Sequence, residues 1–379
     1  MPDQLLLDLF TAYYDARQNK RNTINALKFE ANYEQKLFEL YDELKAGTYE
    51  LGRSLAFVTF DPVQREVIAS SFRDRVIHHL IFNYINPIFE AGFINDSYSC
   101  RVGRGTSYGI RRIAHFIRSC SDNYHQDCYI LKLDLSGYFM SISHEILYDK
   151  IADKLKKKEN YPFDCNFALS LIKKVIFHDY TTNCVIGCDP GHWQGLPKNK
   201  SLFHVPAGFG LPIGNLTSQL FSNIYLSGFD HFMKRDLKLE YYGRYVDDFI
   251  VVHRDKERLK TVILEARDYL SHLGLTLHPK KIYLQPYRRG VDFLGAIIKP
   301  YRIYLKNRTK GNFYKTISLI NRDFKTENGN QNLPKTLASL NSYLGLMKNR
   351  QTYRLRRKAL ITKFTPEFWQ AFNLTGGGG

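Results

Sequence analysis

The stretch Tyr245-Val246-Asp247-Asp248 lies between two apolar runs, Tyr241 to Val246 and Phe249 to Val252. Two β-prone runs meeting at a tight Asp-Asp corner predict a hairpin that lifts two adjacent carboxylates out of a buried sheet. Such carboxylates repel each other and resist desolvation, so they are costly to keep charged unless cations neutralise them. Asp is also a common turn residue, and the pair alone fits a plain turn equally well. The rest of the chain decides between the two readings.

With 379 residues the chain is long enough for two or three subdomains, and 44% hydrophobic residues mark it as globular. Its net charge of +17 points to a polyanionic partner. The charge is uneven: from Tyr301 to Gly379 there are 15 Lys/Arg against three acids (Asp323, Glu327, Glu367), or +12, which leaves +5 for the first 300 residues. A basic C-terminal module on a nearly balanced body suits binding to a phosphate backbone, since solvated surfaces usually mix signs. The N-terminus MPDQLLLDLF has no basic region or cleavage motif, so the six Cys are expected as reduced thiols and the chain as cytoplasmic. His178, Cys184, Cys188 and His192 are a zinc candidate whose spacing fits no common pattern. No apolar run reaches the ~18 residues of a membrane span. Gly376–Gly379 reads as a flexible tail.

Along the chain, Asp3 caps a first helix and a second is predicted over Thr23–Ala46, ending at Gly47. A strand at Leu55–Phe60 precedes a loop with Pro62 and Arg65, and Ser71–Phe89 reads as a buried helix. Ser97–Gly109 is a Gly- and Arg-rich loop, Ile110–Cys120 is helical, and a helix opens near Ser143. Residues 178–205 read as irregular, and Leu211–Gly228 as a loop feeding a helix. After the Asp-Asp hairpin come a helix at Lys256–Leu273, a strand at Leu275–Leu284, a hairpin arm at Val291–Ile298 and a mostly helical remainder. Mixed strands and helices in this order predict an α+β fold.

A third carboxylate enters through Ile130-Leu131-Lys132-Leu133-Asp134, an apolar-alternating strand that delivers Asp134 at its C-terminal end. Three carboxylates from a sheet and an adjoining hairpin suit hard cations such as Mg²⁺, which take oxygen ligands completed by substrate phosphates and water. Two such ions ~3.5–4 Å apart support in-line phosphoryl transfer to a hydroxyl, chemistry that rests on positioning and electrostatics.

Five segments follow one another in order: LKLDLSGYFMSI (131–142), GLPIGNLTSQLFSNIYL (210–226), RYVDDFIVV (244–252), LGLTLHPKKIYL (273–284) and VDFLGAI (291–297). Together they resemble the palm motifs of reverse transcriptases, and residues 65–109 resemble the fingers motifs of the bacterial enzymes. The resemblance spans about residues 55 to 300 and implies a right-hand polymerase with fingers, an antiparallel palm sheet and a helical thumb. The implied division is an N-terminal helical extension (1–54), fingers (55–130 and 143–205), palm (131–142 and 206–300) and a basic thumb (301–375).

By the same resemblance Asp134, Asp247 and Asp248 are catalytic and bind two Mg²⁺ ions, with Mn²⁺ as a substitute, and the Leu135 carbonyl adds a ligand. Phe139 falls where the family blocks a ribose 2′ hydroxyl, although a core aromatic is the plainer reading. Gly214 and Ile213 would approach the incoming nucleotide, or simply form a helix-entry turn capped by Asn215 or Thr217. Arg65, Arg73 and Arg75 are candidates for the triphosphate or template, with Arg65 preferred because Arg73 and Arg75 can instead pair with Asp74 or another carboxylate. Lys281 matches a late-palm lysine that protonates pyrophosphate, or is a solvated strand lysine. Tyr245, Gln219 and Phe293-Leu294-Gly295 are primer or template candidates, and Arg350, Arg354, Arg357 and Lys358 are expected along one helical face toward the duplex.

Ser218-Gln219 stands where retroviral and group II intron enzymes usually have Ser-Pro, and Ile213 stands where they have Gln. Ile-Gly-Asn-x-x-Ser-Gln is similar to the reverse transcriptases of diversity-generating retroelements, with phage-defence relatives the alternative. The first implies mutagenic cDNA synthesis and a small helical accessory protein; the second allows untemplated, repetitive or self-primed products, or a structured non-coding RNA. An RNA template, a DNA or RNA primer and dNTPs are the implied partners. The three acids after Pro300 are too few for an RNase H carboxylate cluster. Two competing readings are an RNA-dependent RNA polymerase, opposed by Phe139 and by Tyr245 in place of Gly, and a silent RNA scaffold, opposed by three intact carboxylates.

Overall fold

The computed structural model describes residues 3–18, 23–60, 63–157, 160–324, 333–348 and 350–375, so Pro62 and the Gly376–Gly379 tail lie outside the described residues. Three helices open the chain: α1 (Gln4–Arg17), α2 (Ile24–Glu30) and α3 (Tyr33–Ala46). Asp3 caps α1 by accepting from the Leu5 N–H at 3.0 Å, and Gly47, at φ +71°, ends α3 in the left-handed region that Gly adopts freely. The single helix expected over 23–46 is two. Asn32, a poor residue inside a helix, takes an extended φ of −139° and opens α3.

Next come β1 (Ser54–Thr59), β2 (Arg65–Ala69), α4 (Phe72–Glu90), α5 (Thr106–Cys120), β3 (Tyr129–Asp134), α6 (His144–Lys156) and α7 (Cys165–Phe177). Arg65 is therefore the first residue of a strand and not part of the loop. The stretch expected to be irregular contains β4 (Cys184–Ile186), which runs parallel to β1 with Ser54 opposite Cys184. That strand exists through a long-range pairing, which its own three residues do not announce.

The chain continues with α8 (Leu216–His231), β5 (Tyr242–Tyr245), β6 (Asp248–His253), α9 (Lys256–His272), β7 (Tyr283–Pro286), β8 (Val291–Phe293), β9 (Ala296–Lys299) and β10 (Arg302–Leu305). The expected strand at Leu275–Leu284 shrinks to one bridge, Leu277 opposite Leu135, before β7 begins. Pro279 supplies no backbone donor, and the chain turns there instead of extending. Among the described residues, the chain closes with α10 (Asn307–Asp323), α11 (Leu333–Lys348), α12 (Tyr353–Thr362) and α13 (Pro366–Thr375).

The strands form three sheets, ordered β2-β1-β4, β5-β6-β3-β7 and β10-β9-β8, so the fold is α+β as expected. Backbone packing divides the chain into two units, one of residues 1–102, 132–249 and 260–282, the other of 103–131, 250–259 and 283–379. The first is centred on α8, whose Leu220, Phe221, Ile224, Tyr225, Leu226 and Phe229 are all buried. In the second, Phe313, Ile317 and Ile320 of α10 pack with Leu340, Met347, Ala359, Phe364 and Phe368. Among the described residues, no helix is long and apolar enough to cross a membrane.

Candidate active site

Ile130, Leu131 and Leu133 of β3 are buried, which fixes the strand and leaves Asp134 at its end, 9% exposed. The hairpin between β5 and β6 turns at Val246-Asp247, one residue earlier than expected, and Asp248 is already the first residue of β6. The turn depends on Val246 at φ +54°, an unusual conformation for a β-branched residue. Two bonds hold it there: the Val246 N–H donates to Ser99 Oγ at 3.3 Å, and its carbonyl accepts from Arg244 Nη1 at 3.0 Å.

Arg244 is wholly buried. Its guanidinium grips Asp230 through Nε at 2.8 Å and Nη2 at 2.7 Å, while the Tyr242 hydroxyl donates to the same carboxylate at 2.7 Å. Sequence reading passed over this brace, although an arginine inside an apolar run signals a charge that needs a buried partner.

The hairpin meets β3 where the Leu135 N–H donates to the Asp247 carbonyl at 3.3 Å. Burial, followed by the charges of Asp134 and Asp248, pushes the Asp247 carboxyl up to about 6. Burial also raises Asp248. Two ammonium groups offset the charge: Lys281 Nζ donates to Asp134 Oδ1 at 2.8 Å, and Lys132 Nζ lies 3.3 Å from Asp248 Oδ1. Asp248 Oδ1 is buried, and Lys132 meets it as an ion pair. Burial works against the Lys281 ammonium, but the carboxylates, Asp134 foremost, outweigh it and raise its pKa.

Among the described residues, no three His, Cys, Asp or Glu stand as a finished metal cage. The donor set nevertheless fits divalent cations: three mutually repelling carboxylates hold excess negative charge that two lysines only partly cover. Leu135, the expected carbonyl ligand, is buried beside them.

The remaining candidates divide. Phe139 is half-buried and edge-on to Tyr138 at 5.5 Å. The Ile213 carbonyl accepts from the Ile68 N–H at 2.9 Å. Gly214, at φ +137°, lies so close to β2 that a Cβ would stand 2.9 Å from the Ile68 carbonyl oxygen, so packing against protein already demands glycine there. Asn215 precedes α8 but makes no side-chain cap; its Oδ1 accepts from the Ser70 N–H at 3.2 Å, and Thr217 bonds His78.

Arg65 is exposed at the start of β2. Arg73 pairs with Glu43, donates to the Glu50 carbonyl at 3.2 Å and covers the Tyr49 ring at 4.9 Å, so its main partner is a carboxylate of α3, with Asp74 farther off at 3.7 Å. Arg75 is half-buried. Tyr245 is half-buried and Gln219 exposed. Phe293 is 0% exposed, so the β8–β9 turn presents only Leu294 and Gly295, at φ +51° and +74°. Arg354, Arg357 and Lys358 belong to α12, whereas Arg350 precedes that helix and is buried, contrary to the single basic face expected. The zinc candidates are not assembled as a cluster: Cys188 Sγ accepts from the Val58 N–H at 3.4 Å, His192 packs edge-on to Phe60 and His178 to Tyr180. All six cysteines are free thiols.

Three comparisons bear on this geometry. The sequence profile of the family described as reverse transcriptase (RNA-dependent DNA polymerase) matches residues 64–298, more than half of the chain. Protein YkfC of Escherichia coli (strain K12) is 24% identical over 72% of this chain and 73% of its own. The mitochondrial nuclear intron maturase 4 of Arabidopsis thaliana is 26% identical over 50% of this chain but only 20% of its own. Among solved structures, apo telomerase from Candida tropicalis superposes with a TM-score of 0.50 at 10% identity, covering 86% of this chain and 61% of that one, a likeness of fold.

Proposed function

Because the chain belongs to the reverse transcriptase family, we propose that it copies RNA into DNA by nucleotidyl transfer from a dNTP to a primer 3′ hydroxyl, with Asp134, Asp247 and Asp248 as its catalytic residues. The observation that carries this reading is the meeting of Asp134, at the end of β3, with the β5–β6 hairpin of Asp247 and Asp248, where the Leu135 N–H donates to the Asp247 carbonyl at 3.3 Å and Lys281 and Lys132 pair with Asp134 and Asp248. Asp134, Asp247, Asp248 and the Leu135 carbonyl would hold Mg²⁺, which when bound activates the attacking hydroxyl and stabilises the leaving pyrophosphate. Lys281, whose ammonium donates to Asp134 at 2.8 Å, is the candidate proton donor to the departing pyrophosphate. Arg65, exposed on β2, is the candidate triphosphate contact, and the Phe139 ring is the gate that favours deoxyribose.

The biological role that best fits Ile213-Gly214-Asn215 and Ser218-Gln219 is the mutagenic cDNA synthesis of a diversity-generating retroelement, assisted by a small helical protein. An apolar Ile213 at the nascent base pair discriminates less sharply than an amide that hydrogen-bonds. Primer extension on a defined RNA template, followed by sequencing of the product, tests the reading. Templated cDNA with errors concentrated opposite adenine is the expected result. Equal error rates opposite all four bases contradict low fidelity of this kind, and repeat tracts made without template favour the phage-defence alternative.

A further inference from the structure

In the first unit, residues 190–204 form a strap between β4 and α8, built of the short helical turns Pro190–Trp193, Lys198–Lys200 and Leu202–His204. The strap is pinned to β2 by Glu66, which is 2% exposed. Glu66 Oε2 accepts from Trp193 Nε1 at 2.7 Å and from Ser201 Oγ at 2.6 Å, and its Oε1 accepts from the Leu202 N–H at 2.7 Å. A buried carboxylate is costly to keep, and all three of these donors belong to the strap. Gln64 adds a second tie, its Nε2 donating to the His192 and Gln194 carbonyls at 2.8 and 3.0 Å.

The same strap rests on the turn that follows β3. Asn199 Nδ2 donates to Ser136 Oγ at 3.3 Å, and the Asn199 carbonyl lies so near Gly137 that a Cβ there would stand 2.6 Å from its oxygen. The Gly137 carbonyl in turn accepts from the Met140 N–H at 2.9 Å and the Ser141 N–H at 3.1 Å, closing the helical turn Tyr138–Ser141 that carries Phe139. A second link runs through Leu202, whose Cδ1 would stand 2.6 Å from a Cβ on Gly210. The next residue, Leu211, donates its N–H to the Phe139 carbonyl at 2.9 Å. The backbone that carries Phe139 is thus braced twice by a segment that Glu66 holds.

We propose that Glu66 and Asn199 are positioning residues for sugar selection, holding the Tyr138–Ser141 turn so that the Phe139 ring closes on the place of a ribose 2′ hydroxyl. This role rests on the proposed polymerase reading, with Phe139 as its gate. A ring that excludes one hydroxyl works by steric fit, and a displacement on the order of 1 Å is enough to weaken it. The substrates that the braced turn rejects are ribonucleoside triphosphates. Arg65, the neighbour of Glu66 on β2, carries a different signature: moving it would weaken all nucleoside triphosphates alike, whereas moving Phe139 changes the preference between the two sugars.

The test measures kcat/KM for a dNTP and for the matching rNTP on one primer and template, with the full chain and its variants. Asn199→Ala, at an exposed position, removes the side-chain bond to Ser136, so the fold should persist. It should lower the preference for dNTP over rNTP about fivefold, and Glu66→Ala about tenfold, with Glu66→Gln, which keeps one acceptor oxygen, nearer the parent. In a Phe139→Ala protein, where the gate is already open, adding Asn199→Ala should change the preference no further. If Glu66→Ala does not fold, the Asn199→Ala and Phe139→Ala cycle decides. An active parent whose Glu66 and Asn199 variants keep its preference, even with both rates lowered, overturns the proposal and leaves the polymerase reading standing. So does a further loss of preference when Asn199→Ala is added to Phe139→Ala, or a Phe139→Ala protein as selective as the parent. A parent that extends no primer with dNTPs overturns both.

Discussion

Asp247 shows how one side chain links stability to chemistry. Its folded carboxyl titrates near 6, above the ordinary 3.8, so ionisation above pH 6 costs the metal-free protein stability, and that stability returns as pH falls through 6 toward 3.8. Protons and Mg²⁺ therefore compete for it. Mg²⁺ should raise the melting temperature more at pH 8 than at pH 5, and Asp247→Asn should flatten that difference. His78 behaves in the opposite sense. Burial, with Arg75 and neighbouring histidines contributing, lowers it from 6.5 to about 3, and its ring is held by Ser70 Oγ at 3.0 Å and Thr217 Oγ1 at 2.8 Å. Below pH 6.5 the unfolded chain takes up a proton that the folded chain refuses, so His78 should make stability fall as pH drops from 6.5 toward 3. Urea titrations at pH 7 and pH 5, compared with His78→Asn, would register this as a shallower acid limb in the variant. Arg244 and Asp230 form the costliest pair to break. Asp230→Asn leaves a buried guanidinium short of charge and should destabilise by about 3–5 kcal/mol, measurable in the same titrations.

At the scale of elements, the β5–β6 hairpin and β3 were legible because each is an apolar run ending at a carboxylate, a pattern with few alternatives. The exact turn was not, since nothing in Val246 itself favours a positive φ; Arg244, Asp230 and Ser99 impose it from elsewhere in the chain. Strand β4 was missed for a related reason: its partner β1 lies far back in sequence. Arg73 and Arg350 were candidates for nucleic-acid contact, Arg73 with a carboxylate partner as its alternative; Arg73 pairs with Glu43, and Arg350 is buried. Gly214 was expected to let backbone approach a nucleotide closely; the close approach on the page is to Ile68 of β2. Gly214→Ala should strain that loop by about 1–3 kcal/mol, and a lowered melting temperature would register it. On α12, replacing Arg354, Arg357 and Lys358 with Gln should make the salt slope of nucleic-acid binding shallower by about one for each phosphate left without its cation, with little change in stability.

For the whole molecule, the α+β class followed from the order of its patterns, and family membership rests on a profile match across residues 64–298. Charge distribution pointed to a polyanion before any fold was known, since +12 of the +17 falls after Pro300. What composition could not disclose is how the carboxylates are poised, with two lysines pairing Asp134 and Asp248 while Asp247 carries the strain. The most direct measurement is primer extension by the full chain on an RNA template with dNTPs and Mg²⁺, set beside an Asp247→Asn/Asp248→Asn protein of matched fold. Extension by the first that chelation abolishes, with none above background by the second, is the predicted result; a double variant that still builds DNA at the parental rate would contradict it.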